Sequence, residues 1–361
     1  MPTCLNSSEP PAHLALSRVT ALLVCALLTI SGCARPAALE STGTPVTASA
    51  PNPVTPSSTV PPPKPSTPAP GPTPNRASWA LGRLATGLYP VSVNDGGLRV
   101  RDLEGDLLGE VPQIIDPGAA ISVDGRFVAF RGAGEASLMV MDLDTLAVTE
   151  VAPDSGLFFG PPTWSPDDKF LVASGEDPSG DRGSLYRIQL DTGTITRLTF
   201  WPSAEVAPAW SPDGRWIAFA SDHYLGDQDG PNELYLYDTS CTDAVTECAE
   251  RSRRLTHEAP SGQALQSSWS ADSRQLVYEC PSSEEFDLCV LDIRTGSRRH
   301  IAESSQDETT PIWSPDGQWM LFNRYSDPFD RSLMLIRPDG TGEHELATGD
   351  DEASTGWILL R

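Results

Sequence analysis

The side chains best able to do chemistry in this 361-residue chain are carboxylates, cysteines and a few histidines. Acidic residues gather in short polar stretches: Glu176, Asp177 and Asp181; then Asp222, Asp227 and Asp229; then Glu284, Glu285 and Asp287; then Asp327 and Asp330. Glu205, Glu258, Asp307 and Glu308 fall between them, and Phe158, Phe159, Trp201, Tyr224, Tyr325 and Phe329 are interleaved. Acid beside exposed aromatic is the chemistry of a recognition surface. Paired carboxylates also serve glycoside hydrolysis, but only at a separation that sequence does not reveal. His223, His257, His300 and His344 are widely spaced, and neither a G-x-S-x-G elbow nor a complete H-E-x-x-H helix motif accompanies them. No catalytic residue and no metal set is assigned. Asp227-Gln228-Asp229-Gly230 offers alternating oxygens for a structural calcium ion, yet lacks the further ligands and terminal bidentate Glu of an EF-hand. No cofactor is expected.

The seven cysteines divide by position. Cys4 and Cys25 lie near an apolar run from Val19 to Ile30 that follows Arg18, and Ile30-Ser31-Gly32-Cys33 fits a bacterial lipobox. The run is short for a membrane span, so a cleaved signal over residues 1–32 is expected, with Cys33 as the lipidated first residue. The remaining four cysteines form two sequence-local pairs, Cys241 with Cys248 and Cys280 with Cys289. Both are candidate disulfides in an oxidising compartment, and neither has the spacing of a zinc site. Residues 33–77 are rich in Pro, Ser, Thr and Ala and nearly free of aromatics, so they read as a linker that cannot build a core. Forty residues in extended polyproline form reach on the order of 120 Å.

What must position the acids and aromatics is a repeat. The phrase Trp-Ser-Pro-Asp-Gly recurs, with variations, at Trp164, Trp210, Trp269 and Trp313, in steps of 46, 59 and 44 residues. A degenerate copy, Ile121 to Gly125, lies 43 residues before the first. This period suits a propeller. In one unit, Ala209-Trp210-Ser211 ends an inner strand, Pro212-Asp213-Gly214 turns the chain, and Arg215 to Phe219 form a second strand. Leu234 to Asp238 and Arg253 to Thr256 supply a third and fourth. Four short antiparallel strands make one blade. Residues 78–361 therefore read as an all-β propeller of six blades, or seven if Trp79 and Trp357 each begin one. The strand Gly356 to Leu360 closes the ring by joining the first blade, which removes an open edge.

The pattern from Ala207 to Ile217 and from Thr310 to Met320 resembles the WD-like repeat of TolB-type six-bladed propellers. It is similar, too, to the propellers of prolyl-oligopeptidase-type peptidases and of many exported lipoproteins. The resemblance covers residues 78–361 and implies the fold more than the activity. TolB itself carries an α/β domain where this chain has a Pro-rich segment, and those peptidases carry a hydrolase domain beyond the propeller.

Lys and Arg total 25 against 49 Asp and Glu, for a formal charge of −24, which argues against nucleic acid or direct binding to anionic lipid. In a propeller the loops between second and third strands share a face with the links between blades, and here both are acidic. The expected function is a monomeric, membrane-anchored, extracytoplasmic lipoprotein whose loop face binds a protein or envelope polymer without catalysis. The membrane is reached only through the lipid. Tyr224, Asp227, Tyr325 and Phe329 are the expected contacts. The alternative is a glycan or peptide hydrolase at the channel mouth.

Overall fold

Each copy of the repeated phrase folds into the same turn, and the turn's hydrogen bonds explain its composition. In the computed structural model, Ser211 Oγ donates to Asp213 Oδ1 at 2.6 Å and accepts the Trp216 N–H at 2.9 Å, while Asp213 Oδ1 also accepts the Arg215 N–H at 3.0 Å. The Gly214 N–H closes on the Ser211 carbonyl at 2.9 Å. The same Ser-to-Asp bond recurs at Ser122, Ser165, Ser270 and Ser314. The residue after each Asp is left-handed, with φ of 73° at Gly125, 54° at Asp168, 75° at Gly214, 59° at Ser273 and 72° at Gly317. Glycine adopts that conformation freely, whereas Asp168 and Ser273 hold it against a Cβ.

The structure describes residues between Leu84 and Leu360, apart from short stretches of which 242–251 is the longest. Trp79, Cys33, the 1–32 signal, the 33–77 linker and Cys248 lie outside the described residues. The described strands form six antiparallel sheets, the blades, each with four strand positions from inner to outer. Blade 1 runs Ala353–Leu360, Gly87–Asn94, Gly97–Arg101, Leu107–Val111. Blade 2 runs Ala120–Ile121, Phe127–Arg131, Leu138–Asp142, Val148–Glu150. Blade 3 has a broken inner strand, Phe158–Phe159 and Thr163–Trp164, then Phe170–Glu176, Ser184–Gln189 and Ile195–Arg197. Blade 4 runs Glu205–Trp210, Trp216–Ser221, Glu233–Asp238, Arg253–Arg254. Blade 5 runs Leu265–Trp269, Gln275–Pro281, Phe286–Asp292, Arg298–Ala302. Blade 6 runs Asp307–Trp313, Met320–Asp327, Asp330–Ile336, His344–Thr348.

The count is therefore six, and Trp357 begins no seventh blade. Its strand is the inner strand of blade 1, paired antiparallel with Gly87–Asn94 from Gly87 opposite Leu360 to Val93 opposite Ala353. The first and last described strands thus share one sheet, which leaves no unpaired inner edge in blade 1.

The tryptophans fill the seams between blades. Trp164, Trp269, Trp313 and Trp357 are each 7% exposed or less. The Trp164 indole N–H donates to the Ala120 carbonyl at 2.9 Å, Trp269 to Ala209 at 2.9 Å and Trp357 to Ile312 at 3.1 Å, in each case on the inner strand of the preceding blade. Burying an indole of this size is worth about 4–5 kcal/mol at most, and the bond to a neighbouring carbonyl fixes its orientation. Strand interiors are apolar throughout, with Val128, Leu171, Ile217, Leu276 and Leu321 all essentially inaccessible. No helix among the described residues is long and apolar enough to cross a membrane.

Candidate functional site

The links between blades, and the loops between second and third strands, carry most of the acids singled out above. Their carboxylates turn inward more than the sequence suggests. Glu205, at the start of the inner strand of blade 4, is fully buried and accepts hydroxyl bonds from Thr199 Oγ1 at 2.8 Å and Ser203 Oγ at 2.9 Å. Glu233 is equally buried and holds Arg254 Nη2 at 2.8 Å together with the Thr256 hydroxyl. Asp222 is 4% exposed, with Arg182 of blade 3 at 3.7 Å. Asp307 accepts the Phe286 N–H at 2.9 Å, and Asp287 faces His300 Nδ1 at 3.2 Å. Glu258 accepts from the Tyr278 hydroxyl at 3.1 Å and pairs with Arg298. The expected acidic surface is thus largely an interior network. Glu205, Glu233 and Asp307 are the first residues of strands, and Asp222 and Asp287 lie within one residue of a strand end, where backbone N–H groups and the cations of adjacent strands converge, so these side chains satisfy the ring and not solvent.

Glu279 and Glu308 show the cost of that burial. Glu279, at the end of the second strand of blade 5, reaches across the seam to accept the Thr310 N–H of blade 6 at 2.7 Å. Burial, opposed by that bond and reinforced by the nearby Asp307 charge, pushes its carboxyl up to about 8. Glu308 holds Arg324 Nε at 2.9 Å, yet its Oε2 has no partner among the described residues, and burial pushes this carboxyl up as well. Arg324 extends the network outward with a two-pronged bond to Glu343 at 2.7 and 3.0 Å.

A bracket that sequence reasoning missed is built twice from the string Arg-Leu-Thr. In blade 3 Arg197 donates to the Thr199 carbonyl at 2.8 Å and to Ser184 Oγ at 2.7 Å, and lies 4.8 Å over the Phe200 ring. In blade 4 Arg254 donates to the Thr256 carbonyl at 2.8 Å and to Glu233, and lies 4.1 Å over the Tyr224 ring. The repeated string at 197–199 and 254–256 is the signal that could have revealed it.

Of the expected contacts, Tyr224 is half-buried under Arg254, and Tyr325 is half-buried with Arg331 4.8 Å over its ring. Both therefore share one layout, a phenol ring faced by a guanidinium. They occupy blades 4 and 6. Asp227 and Phe329 lie outside the described residues, as does most of the calcium-like loop at 227–230. Among the other aromatics, Trp201 is only 7% exposed and stacks on His223 with ring centroids 3.7 Å apart, so it belongs to the core. Phe159 is buried, whereas its neighbour Phe158 is 47% exposed.

Cys280 and Cys289 are joined in a disulfide across the second and third strands of blade 5. Their sulfurs and a His300 nitrogen fall within 4.8 Å of one another, but bonded sulfurs offer no thiolate to a metal. Cys241 is also disulfide-bonded, while Cys248 lies outside the described residues.

Comparison with known proteins agrees with the ring. TolB from Francisella tularensis, named as a Tol-Pal system protein, is 24% identical over 237 residues, which cover 55% of this chain and 52% of that protein. An uncharacterized peptidase of Bacillus subtilis is 26% identical over 162 residues, covering 45% of this chain and 21% of the peptidase. The chain spans between 21% and 53% of the length of the curated relatives it matches. The solved structure of a putative TolB from Agrobacterium tumefaciens superposes with a TM-score of 0.58 at 19% identity, covering 75% of this chain and 92% of that one, a likeness of fold. Residues 109–357 match the TolB beta propeller domain, and the chain belongs to that family.

Proposed function

We propose that this protein is a non-catalytic recognition scaffold of the bacterial envelope, anchored outside the cytoplasm by a lipid on Cys33 and acting as a monomer. Its loops between second and third strands meet a protein or an envelope polymer. The observation that carries this reading is the division of labour on that side of the ring. The carboxylates of blades 4 to 6 are engaged in ties between strands and blades, while Tyr224 and Tyr325 stay partly accessible against arginines. Rigid aromatic anchors backed by guanidinium groups are the side chains that dominate binding energies at protein interfaces. The Tol-Pal name of a relative supports both an envelope location and work within an assembly. A hydrolase needs a carboxyl free to reach substrate, and Glu205, Glu233 and Asp307 are each held by protein donors.

The test places a photo-crosslinking amino acid at position 224, at 325 or, as a control, at the exposed Val123 on the opposite face, in the full chain in its own envelope. Crosslinks from 224 and 325 to a common protein or polymer, absent from 123, are expected. Equal yields from all three, or none from 224 and 325, would remove the proposal. Cys33→Ala shifting the protein out of the membrane fraction checks the anchor separately.

A further inference from the structure

Trp210 departs from the arrangement of Trp164, Trp269 and Trp357. It is only half-buried, and its indole N–H turns back to the Gly214 carbonyl of its own turn at 3.2 Å instead of crossing to blade 3. Its ring still lies beside Phe170 of blade 3, with centroids 6.5 Å apart. Next to it, in the seam between blades 3 and 4, is a pocket of about 340 Å³. Trp210, Ile217 and Tyr237 form its apolar walls, and Arg187, Thr196 and Thr239 add polar groups. It lies toward the Ser211–Gly214 end of the blade, since the Thr239 hydroxyl bonds to the Gly214 carbonyl at 2.6 Å, and so opposite the loops that carry Tyr224 and Tyr325.

Arg187 is the pocket's one cationic side chain. Its guanidinium rests 5.1 Å over the Phe170 ring and has no carboxylate at ion-pairing distance among the described residues. Arg126, Arg131, Arg182, Arg254, Arg298 and Arg324 hold acids, whereas Arg215 and Arg337, like Arg187, rest over aromatic rings; Arg187 differs from these two in lining the pocket. In a chain with 49 acidic and 25 basic residues, an unclaimed guanidinium lining a pocket is a place for an anion brought from outside. Tyr237, 3% exposed in the same wall, is pushed up by burial, drawn back by the Arg187 charge and pushed up further by the Asp238 charge.

We propose that this seam pocket binds a small carboxylate carried on a flat apolar group, the carboxylate on Arg187 and the flat group against Trp210. The volume lies at the small end of ligand sites, which suits one ring and its substituents. A single guanidinium with neutral hydroxyls matches one negative charge. A phosphate dianion would bring excess charge into a protein of net −24. A free aromatic acid and the C-terminal residue of a peptide both present this chemistry.

The experiment titrates the full chain with N-acetylphenylalanine, with its C-terminal amide, and with a longer peptide ending in phenylalanine, by calorimetry and ligand-detected NMR. A fragment of this size is expected to bind with a dissociation constant of about a millimolar. Affinity is expected to fall about tenfold or more for the amide, and likewise for the acid on Arg187→Gln. The amide comparison uses the unaltered protein, so it decides the matter even if the variant fails to fold. Equal affinity for acid and amide, or no binding by N-acetylphenylalanine, indole-3-carboxylate or naphthoate, would overturn the proposal. Peptide binding as tight as the free acid identifies a chain terminus as the source, and binding of the free acid alone identifies a small metabolite.

Discussion

Asp168 Oδ1 accepts the Val123 N–H at 2.8 Å, and its Oδ2 accepts the Asp124 N–H at 3.2 Å, so a turn residue of blade 3 holds the equivalent turn of blade 2. Ser273 of blade 5 does the same for blade 4, its Oγ accepting the Asp213 N–H at 3.0 Å. These are the two turns whose left-handed position is not glycine. The conformational cost of a Cβ at each is offset by a bond between blades that glycine is unable to make.

Ser273 allows the two effects to be separated. Ser273→Ala keeps the strained Cβ and loses the bond, so it is expected to destabilise by about 1–2 kcal/mol. Ser273→Gly loses the same bond but relieves the strain and is expected to lie within about 0.5 kcal/mol of the wild type. Urea denaturation midpoints of the three proteins measure this, and an alanine variant as stable as the glycine variant would contradict the account.

Glu279 predicts a pH dependence. Its folded value of about 8 stands above the ordinary 4.5, so the protonated carboxyl favours the folded state. The associated stability is complete below about 4.5 and is lost as pH rises through about 8. Glu279→Gln keeps an acceptor for the Thr310 N–H without the charge. It is expected to match the wild type at about pH 4 and exceed it by about 2 kcal/mol or more at about pH 8.5. The difference between the two proteins across pH isolates this group from every other titration.

Ring closure rests on the strand Ala353–Leu360. Trp357→Ala removes a 5% exposed indole and its bond to Ile312 and is expected to cost about 3–5 kcal/mol. Deleting residues 353–361 exposes the inner edge of Gly87–Asn94, and light scattering is expected to show oligomers that the full chain does not form.

The disulfide between Cys280 and Cys289 closes a sequence separation of nine residues. The Cys280→Ser, Cys289→Ser pair is expected to lower stability by about 2–3 kcal/mol, read from thermal denaturation under non-reducing conditions. Reductant should produce a larger loss in the wild type than in the double variant, which keeps only the Cys241 disulfide.

On the recognition side, Tyr224→Ala and Tyr325→Ala are expected to reduce capture of the envelope partner about tenfold each while leaving the melting temperature within a few degrees. Asp227→Asn together with Asp330→Asn tests the acids of the same loops. A hydrolase would instead keep affinity and lose turnover.

Much of the ring is legible in the sequence because its determinants are local. Trp-Ser-Pro-Asp-Gly combines a buried indole, a hydroxyl, a turn-favouring carboxylate and a left-handed position within five residues, and the same bonds form wherever that string occurs. Its spacing then sets the blade size, and Trp357, one repeat length after Trp313 but without the rest of the string, announces the closing strand. The roles of the acids are another matter. Glu205 and Asp307 read as surface because their neighbours in sequence are polar, whereas their partners Thr199 and Phe286 reach them only after strands pair and blades pack. Trp201 likewise reads as a loop aromatic, and only the fold brings it against His223. The same holds for Trp210, whose string is intact but whose indole turns inward to Gly214, opening the seam beside Arg187. A side chain's burial and partners depend on contacts tens of residues away. Local sequence therefore determined the repeat and its turns, while the packing of one blade on the next decided which charges are structural and where a pocket is left.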